Sequence, residues 1–376
     1  MSNKHLIPEG TRDLILGECL IKKNLQSNIE GVLDKWGYKE VVTPTTEFYK
    51  TFNSEFQSLK EEELCKFFDN KGRILVLRPD MTIPIARVVG TKFKDVKPPL
   101  RFRYTANVFR VNESLGGKKN EYTDCGVELI GLSDKESDLE ILVTALDSLK
   151  VLKNNNFKLE IGNINFFNAA TSELDLSEDE ISKLAELIDT KNLKALEDYL
   201  NELNLSEDYK EFFNKLPWLF GGEEVLLEGK KYAFNDELKS IIEYLENLAS
   251  SLKELGYGDM LTFDLGMVPG LNYYTGIIFR GYVEGVGVTV LSGGRYDNLI
   301  SKFGRDIPAV GFSIKIDSLL DVIEEEPKKE KKYIIYYGDG NSLEAIKKGK
   351  LLRDSGFIVE LIPNNNLQGI DVKEEV

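Results

Sequence analysis

From about residue 170 to 255 the sequence is acidic and nearly all helical in pattern, yet runs with strand character stand on both sides of it. No other feature constrains the fold as much. Ser177 followed by Glu180 makes a capping-box signature, and Ile181, Leu184, Leu187, Ile188, Leu193, Leu196 and Leu200 continue at helical spacing. A chain that returns to strands after such a stretch is expected to build one sheet domain carrying a helical insertion. Upstream, Ile21, Leu25, Ile29, Val32, Leu33 and Trp36 mark an amphipathic helix that Gly37 stops. "YKEVVTPTTEF" reads as a short strand that Pro44 must end or hold at an edge. "KFFDNKGRILVLRPD" reads as two strands joined at Asp69-Asn70-Lys71-Gly72. Further strands are expected over 100–110, 125–131, 157–162, 274–283, 286–291 and 309–316. Most of these meet through hairpins, which predicts an α+β fold, an antiparallel sheet flanked by helices. The core domain is expected over 1–322 with the insertion at about 170–255, and the charged, proline-containing run "EEEPKKEKK" marks a linker at 323–332. Residues 333–376 read strand, helix, strand, a short or truncated α/β unit.

Composition removes several function classes. At 42% apolar and 30% charged residues, the 376-residue chain has the makeup and length to bury a full globular core. No apolar run approaches the roughly 20 residues of a membrane span, and "MSNKHLIPEGTRDLI" lacks the features of a secretory signal. A cytoplasmic protein without membrane contact is expected. The formal net charge of -15 repels phosphodiester backbones, which argues against tRNA or DNA as a partner. His5 is the sole histidine, so Ser-His-Asp triads and histidine-rich metal sites are not available. Cys19, Cys65 and Cys125 are widely spaced with no C-x-x-C, the pattern of buried thiols and not of a disulfide or zinc framework. Neither a metal nor a cofactor is expected.

Three stretches carry candidate chemistry. In "LRPDMTIPIAR", Asp80 and Thr82 follow a strand and a proline turn, where they either hold an ammonium group or, for Asp80, cap the next helix. In "RFRYTANVFRVNESLGGKKNEYTDCGVELIG", Arg110 ends one strand, and Asp124 and Glu128 share one face of the next because their spacing is even. Two carboxylates on one face suit a ligand with several N–H donors, such as an imidazole bearing an α-amino group; a solvated strand face is the plainer alternative. In "GMVPGLNYYTG", Tyr273 and Tyr274 stand between a Pro-Gly turn and an apolar strand, like the wall of a pocket for a small flat ligand. Arg295 of "SGGRYDNL" is a candidate for a phosphate, whereas glycines at a strand end more often mark close backbone packing.

In order and spacing these segments resemble the catalytic core of histidyl-tRNA synthetase, a class II aminoacyl-tRNA synthetase, over about residues 5–320. "GYKEVVTPTTE" resembles the first class-defining motif, "FR" through "GVELIG" the second, "LRPDMT" the element that holds the amino acid, and "GLNYYTG" the histidine-pocket signature. "GGRYDNL" and "PAVGFSI" resemble the lead into the third motif. The resemblance implies a histidine-like pocket made by Asp80, Met81, Thr82, Arg110, Asp124, Glu128, Tyr273 and Tyr274.

The catalytic positions depart from that pattern. The arginine that promotes attack on ATP is replaced by Pro269, and the third-motif arginine that binds the triphosphate by Ser318. Asn112 and Glu113 replace a Glu-Arg pair of the second motif, and Lys118 and Asn120 replace further arginines. A pocket kept beside a dismantled ATP site is similar to a paralogous family, the regulatory subunits of short-form ATP phosphoribosyltransferase. That resemblance implies no activity for the chain alone and a partnership with the short catalytic subunit at the first step of L-histidine biosynthesis. It further implies self-association through the synthetase-like core, and it leaves L-histidine open as the ligand. The alternative is a divergent histidyl-tRNA synthetase or another amino-acid-activating enzyme.

Overall fold

The structure is a computed structural model that describes residues 6–52, 61–111, 119–153, 156–268, 273–323 and 332–375. Residues 1–323 form one compact unit and 324–376 a second.

The first unit opens with α1 (Leu16–Lys35), which buries Leu25, Ile29 and Leu33. Gly37 follows at a φ of 82°, a left-handed turn that lets the Gly37 and Tyr38 amides reach back to the Asp34 and Leu33 carbonyls. The proline-marked run splits into β1 (Lys39–Glu40) and β2 (Thr46–Phe48), and the predicted hairpin forms from β3 (Lys66–Phe68) and β4 (Ile74–Leu77). After α2 (Thr82–Lys92) come the two long strands β5 (Leu100–Phe109) and β6 (Glu121–Ile130), then α3 (Lys135–Leu149) and β7 (Phe157–Asn163). The helical stretch contains α4 (Ile164–Thr171), α5 (Glu178–Asp189), α6 (Leu193–Glu202) and α7 (Glu207–Lys215). It continues through a two-residue β8 (Phe220–Gly221) to α8 (Glu224–Tyr232) and α9 (Asp236–Glu254). The unit closes with β9 (Leu261–Asp264), β10 (Ile277–Val283), β11 (Leu291–Arg295), β12 (Ala309–Lys315) and a short α10 (Ile316–Leu319).

Among the described residues nine strands make one sheet, in the order β1-β5-β6-β12-β11-β10-β7-β9-β8. Its centre, from β5 to β7, is antiparallel throughout, while β1 with β5 and β7 with β9 are parallel, so the sheet is mixed. The parallel pair explains the helical stretch. Parallel neighbours cannot be joined by a hairpin and need a long crossover, and α4 to α9 with β8 supply it. The same stretch packs into the sheet: Leu184, Ile188, Leu196, Phe212, Phe213 and Ile242 belong to one hydrophobic cluster with Phe279 and Phe312. The capping box is formed, with the Ser177 hydroxyl accepting from the Glu180 amide and the Glu180 carboxylate accepting from the Ser177 amide.

One strand is displaced from its predicted place. The run 286–291 was expected to be extended, but the strand is Leu291–Arg295 and passes through two glycines. Gly281 of β10 faces Leu291, and the pairing continues to Ile278 opposite Gly294, so cross-strand hydrogen bonding overrides the low strand preference of Gly293 and Gly294.

In the second unit β13 (Lys332–Tyr337), α11 (Ser342–Asp354) and β14 (Ile358–Pro363) form a parallel strand pair with its helical crossover around Ile335, Ala345 and Val359. A third strand, β15 (Ile370–Glu375), runs antiparallel to β13 on its other edge. Its sequence "IDVKEE" alternates for one repeat only, with Ile370 and Val372 turned to the small core and the other side chains exposed, too short a pattern to have been read as a strand.

Candidate functional site

Strand β6 places the first two functional groups. Asp124 and Glu128 lie on one face, and on β12 Lys315 pairs with Asp124 and Gly311 with Glu128. Gly294 of β11 pairs in turn with Gly311. The glycines are the floor of a cavity. A Cβ on Gly311 would run into the Glu128 carboxylate, and one on Gly294 would stand 2.6 Å from the Tyr274 ring. Both positions are extended backbone, so the constraint there is space and not conformation.

The walls come from elsewhere in the chain. Asp80, Met81 and Thr82 follow the turn after β4. Asp80 Oδ1 accepts from the Ile83 amide at 3.0 Å, so it caps α2 and lines the cavity at once. Arg110, just past β5, donates from Nε to the Pro79 carbonyl at 2.9 Å, which ties it to the Asp80 turn. Tyr273 and Tyr274 have ring centroids 4.8 Å apart, and Tyr296 meets Tyr273 edge-on at 6.0 Å. The Tyr296 hydroxyl donates to Glu128. Asp80, Met81, Thr82, Arg110, Asp124, Glu128, Tyr273 and Tyr274 all line one cavity of about 130 Å³. That is below the roughly 300–1,000 Å³ of sites for drug-sized ligands and suits a molecule the size of an amino acid.

Burial dominates the electrostatics. It pushes Asp124 up to about 7, against the pull of Arg110 and Lys315. It pushes Glu128 up to about 8, against hydrogen bonds from Tyr296 and Thr82. Asp80 is raised by burial as well, with its helix-capping bonds and Arg110 opposing. Asp124 Oδ1 is buried and has no hydrogen-bond partner among the described residues, an arrangement that costs free energy until a donor arrives. Three carboxylates, one guanidinium, one ammonium and a tyrosine wall can receive a small ligand with several N–H donors and a carboxylate of its own.

These shifts predict a pH dependence. A carboxyl whose pKa is higher in the folded chain favours folding while it is protonated. The stability from this pair is therefore present below about pH 4 and is lost as pH rises through about 7 for Asp124 and about 8 for Glu128. Glu128→Gln cannot ionise. Its melting temperature, followed by calorimetry from about pH 5 to about pH 9 across the shifted range, should fall less than that of the ligand-free parent chain; parallel curves would refute the assignment.

The remaining sequence candidates divide. Arg295 is structural: buried at 6% exposure, it bonds the Asp138 carboxylate at 2.5 Å and the Ser137 hydroxyl at 2.7 Å, so it is committed inside the core and does not face the cavity. Ser318 lies in α10. Beside it Asp317 is buried, bonded by Lys22 Nζ at 2.9 Å and the Thr123 amide at 2.7 Å. Asn120 donates from its amide to the Gly10 carbonyl and from its side chain to that of Glu9, docking the N-terminal segment. Pro269, Asn112, Glu113 and Lys118 lie outside the described residues. Sequence reading missed Tyr104, Tyr122, Tyr296 and Lys315 as lining residues. Period-two alternation along β6 is a signal for Tyr122 on the Asp124 face; Tyr104, Tyr296 and Lys315 reach the cavity only through the pairing of β5 and β12 with β6 and of β11 with β12. Among the described residues no three His, Cys, Asp or Glu side chains are grouped to hold a metal ion, and no helix is long and apolar enough to cross a membrane.

Residues 10–319 match the family model for histidyl-tRNA synthetase, and the fold with its cavity is of that class II type. The crystal structure of histidyl-tRNA synthetase from Nostoc sp. PCC 7120 superposes with a TM-score of 0.77 at 20% identity, over 97% of this chain and 87% of that one, a likeness of fold alone. Sequence similarity is higher elsewhere. The ATP phosphoribosyltransferase regulatory subunit of Clostridium botulinum (strain 657 / Type Ba4) is 43% identical over 89% of this chain and 81% of its own length. That of Ruminiclostridium cellulolyticum is 41% identical over 94% and 85%. A crystal structure described as an ATP phosphoribosyltransferase regulatory subunit/histidyl-tRNA synthetase from Bacillus halodurans has a TM-score of 0.87 at 32% identity, covering 97% of this chain and 94% of that one. The chain belongs to the family of ATP phosphoribosyltransferase regulatory subunits.

Proposed function

We infer that this chain is the non-catalytic regulatory subunit required by a short-form ATP phosphoribosyltransferase catalytic chain, at the first step of L-histidine biosynthesis in the cytoplasm. The observation that carries the reading is identity of 41–43% to regulatory subunits over most of the chain. L-histidine is the ligand proposed for the cavity. Asp80, Asp124 and Glu128 take its amino and imidazole N–H groups, Arg110 its carboxylate, and Tyr273 and Tyr274 its ring. The unpartnered Asp124 Oδ1 supports this assignment, because it is an acceptor waiting for a donor. Feedback requires that histidine and the catalytic chain favour different conformations, since a ligand shifts an equilibrium only by its difference in affinity for the two states.

The synthetase-like core is proposed to self-associate and then to recruit catalytic chains, with no role for tRNA. Size-exclusion chromatography with light scattering tests the partnership. The chain alone should elute above its monomer mass of 42.6 kDa, and addition of the catalytic chain should move both proteins to one earlier peak. Separate elution at micromolar concentrations would count against the partnership.

A further inference from the structure

The turn between α5 and α6 grips the segment that leads to the tyrosine wall. Asp189, the last residue of α5, accepts with one oxygen from two donors: the Val268 amide at 3.2 Å and Arg280 at 3.1 Å. Val268 precedes Tyr273 and Tyr274 in the chain and Arg280 follows them, so one carboxylate holds both flanks of the pair. Arg280 also pairs across β10 and β11 with Ser292, which lines the cavity.

Two residues further on, Lys191 makes a second grip. Its ammonium lies 3.0 Å from the buried Asp264 carboxylate, whose other oxygen accepts from the Gly266 amide at 2.8 Å. The same ammonium donates to the Pro217 carbonyl at 3.3 Å and sits 3.7 Å from the centre of the Phe220 ring. Lys191 holds a φ of 52°, a left-handed position where glycine is the easier residue. A lysine in a glycine position is explained by what its ammonium holds: Asp264 at the end of β9, and through it the loop toward Val268. Strained residues persist where their surroundings over-determine them, and the three contacts of the ammonium do so here.

We propose that the α5–α6 turn is the positioning device of the tyrosine wall, with Asp189 holding Val268 and Arg280 on either side of Tyr273 and Tyr274 and Lys191 holding Asp264, so that the packing of the helical crossover sets how firmly the cavity holds its ligand. The part that concerns ligand affinity rests on the assignment of L-histidine to the cavity; the anchoring does not. Neither residue lines the cavity, and both act through others.

Hydrogen exchange read by mass spectrometry tests the anchoring on the intact chain without ligand. In Asp189→Asn, amides of Tyr273 to Ile278 should exchange roughly five to ten times faster, as expected when a local opening loses a tie, and Lys191→Met should speed the stretch from Leu265 to Val268. Glu246→Gln, which breaks the exposed Lys230–Glu246 pair within the crossover, should leave both segments unchanged. Exchange that is unaltered in Asp189→Asn and Lys191→Met, or equally altered in Glu246→Gln, would overturn the proposal. Calorimetry with L-histidine then reads the consequence: binding to the parent chain weakened about tenfold by Asp189→Asn supports the whole scheme. Faster exchange with unweakened binding would overturn the link to the cavity. Faster exchange in a chain that never binds histidine would keep the anchor and reject the ligand assignment.

Discussion

Glu128→Ala should weaken L-histidine binding by about 30- to 100-fold, the equivalent of about 2–3 kcal/mol for a lost charge-assisted hydrogen bond in a buried site. Glu128 is 1% exposed, and its carboxylate is set against the Gly311 floor and held by the Tyr296 hydroxyl. The alanine leaves Tyr296 without that acceptor and a void where the ligand's donor would end. In the assembled enzyme, histidine inhibition should weaken by a similar factor while the two proteins still co-elute, since a residue this deep has no part in an interface. Calorimetry on the chain and an inhibition curve on the complex measure the two effects. Unchanged inhibition would place the effector site elsewhere.

Arg295→Ala should lower the free energy of unfolding by about 3–5 kcal/mol, the usual cost of stranding one member of a buried ion pair. The guanidinium bridges β11 to α3 through Asp138 and Ser137, to the turn before α3 through the Leu132 carbonyl at 3.0 Å, and to Asp297 at 3.1 Å. Its removal leaves the Asp138 carboxylate buried with, among the described residues, the Tyr244 hydroxyl at 2.5 Å as its side-chain partner. Arg295→Lys should not restore stability, because an ammonium cannot serve the forked set of acceptors. Urea unfolding gives the number, with Lys194→Ala in the exposed Lys194–Asp198 pair as the comparison, expected to change by under about 0.5 kcal/mol. A loss of less than about 1 kcal/mol for Arg295→Ala would contradict the structural role.

Part of the cavity was legible in the sequence because two of its three carboxylates sit on one regular strand, and the family resemblance grouped the other lining residues with them. Even spacing alone put Asp124 and Glu128 on one face, and the proline turn before α2 marked Asp80. What escaped was everything that depends on which strands become neighbours. That β12 lies against β6 is a matter of long-range pairing, and only then do Gly294 and Gly311 become a floor beside Glu128 and Tyr296 its partner. The helical stretch was recognised by its period, but its service as a crossover between parallel strands follows from β7 pairing with β9, which no local pattern records. Arg295 shows the converse: a glycine-flanked arginine invites a phosphate, and burial beside Asp138 decides against it.

Regulatory action without catalysis is tested most directly by one assay. The short catalytic subunit of the same organism is assayed for phosphoribosyl transfer from phosphoribosyl pyrophosphate to ATP, with and without this chain, and with L-histidine added. The prediction is that activity appears or rises when the chain is added, that it falls with histidine, and that the chain alone has none. No effect on transfer, together with histidine-dependent exchange of pyrophosphate into ATP by the chain alone, would contradict it and identify an amino-acid-activating enzyme.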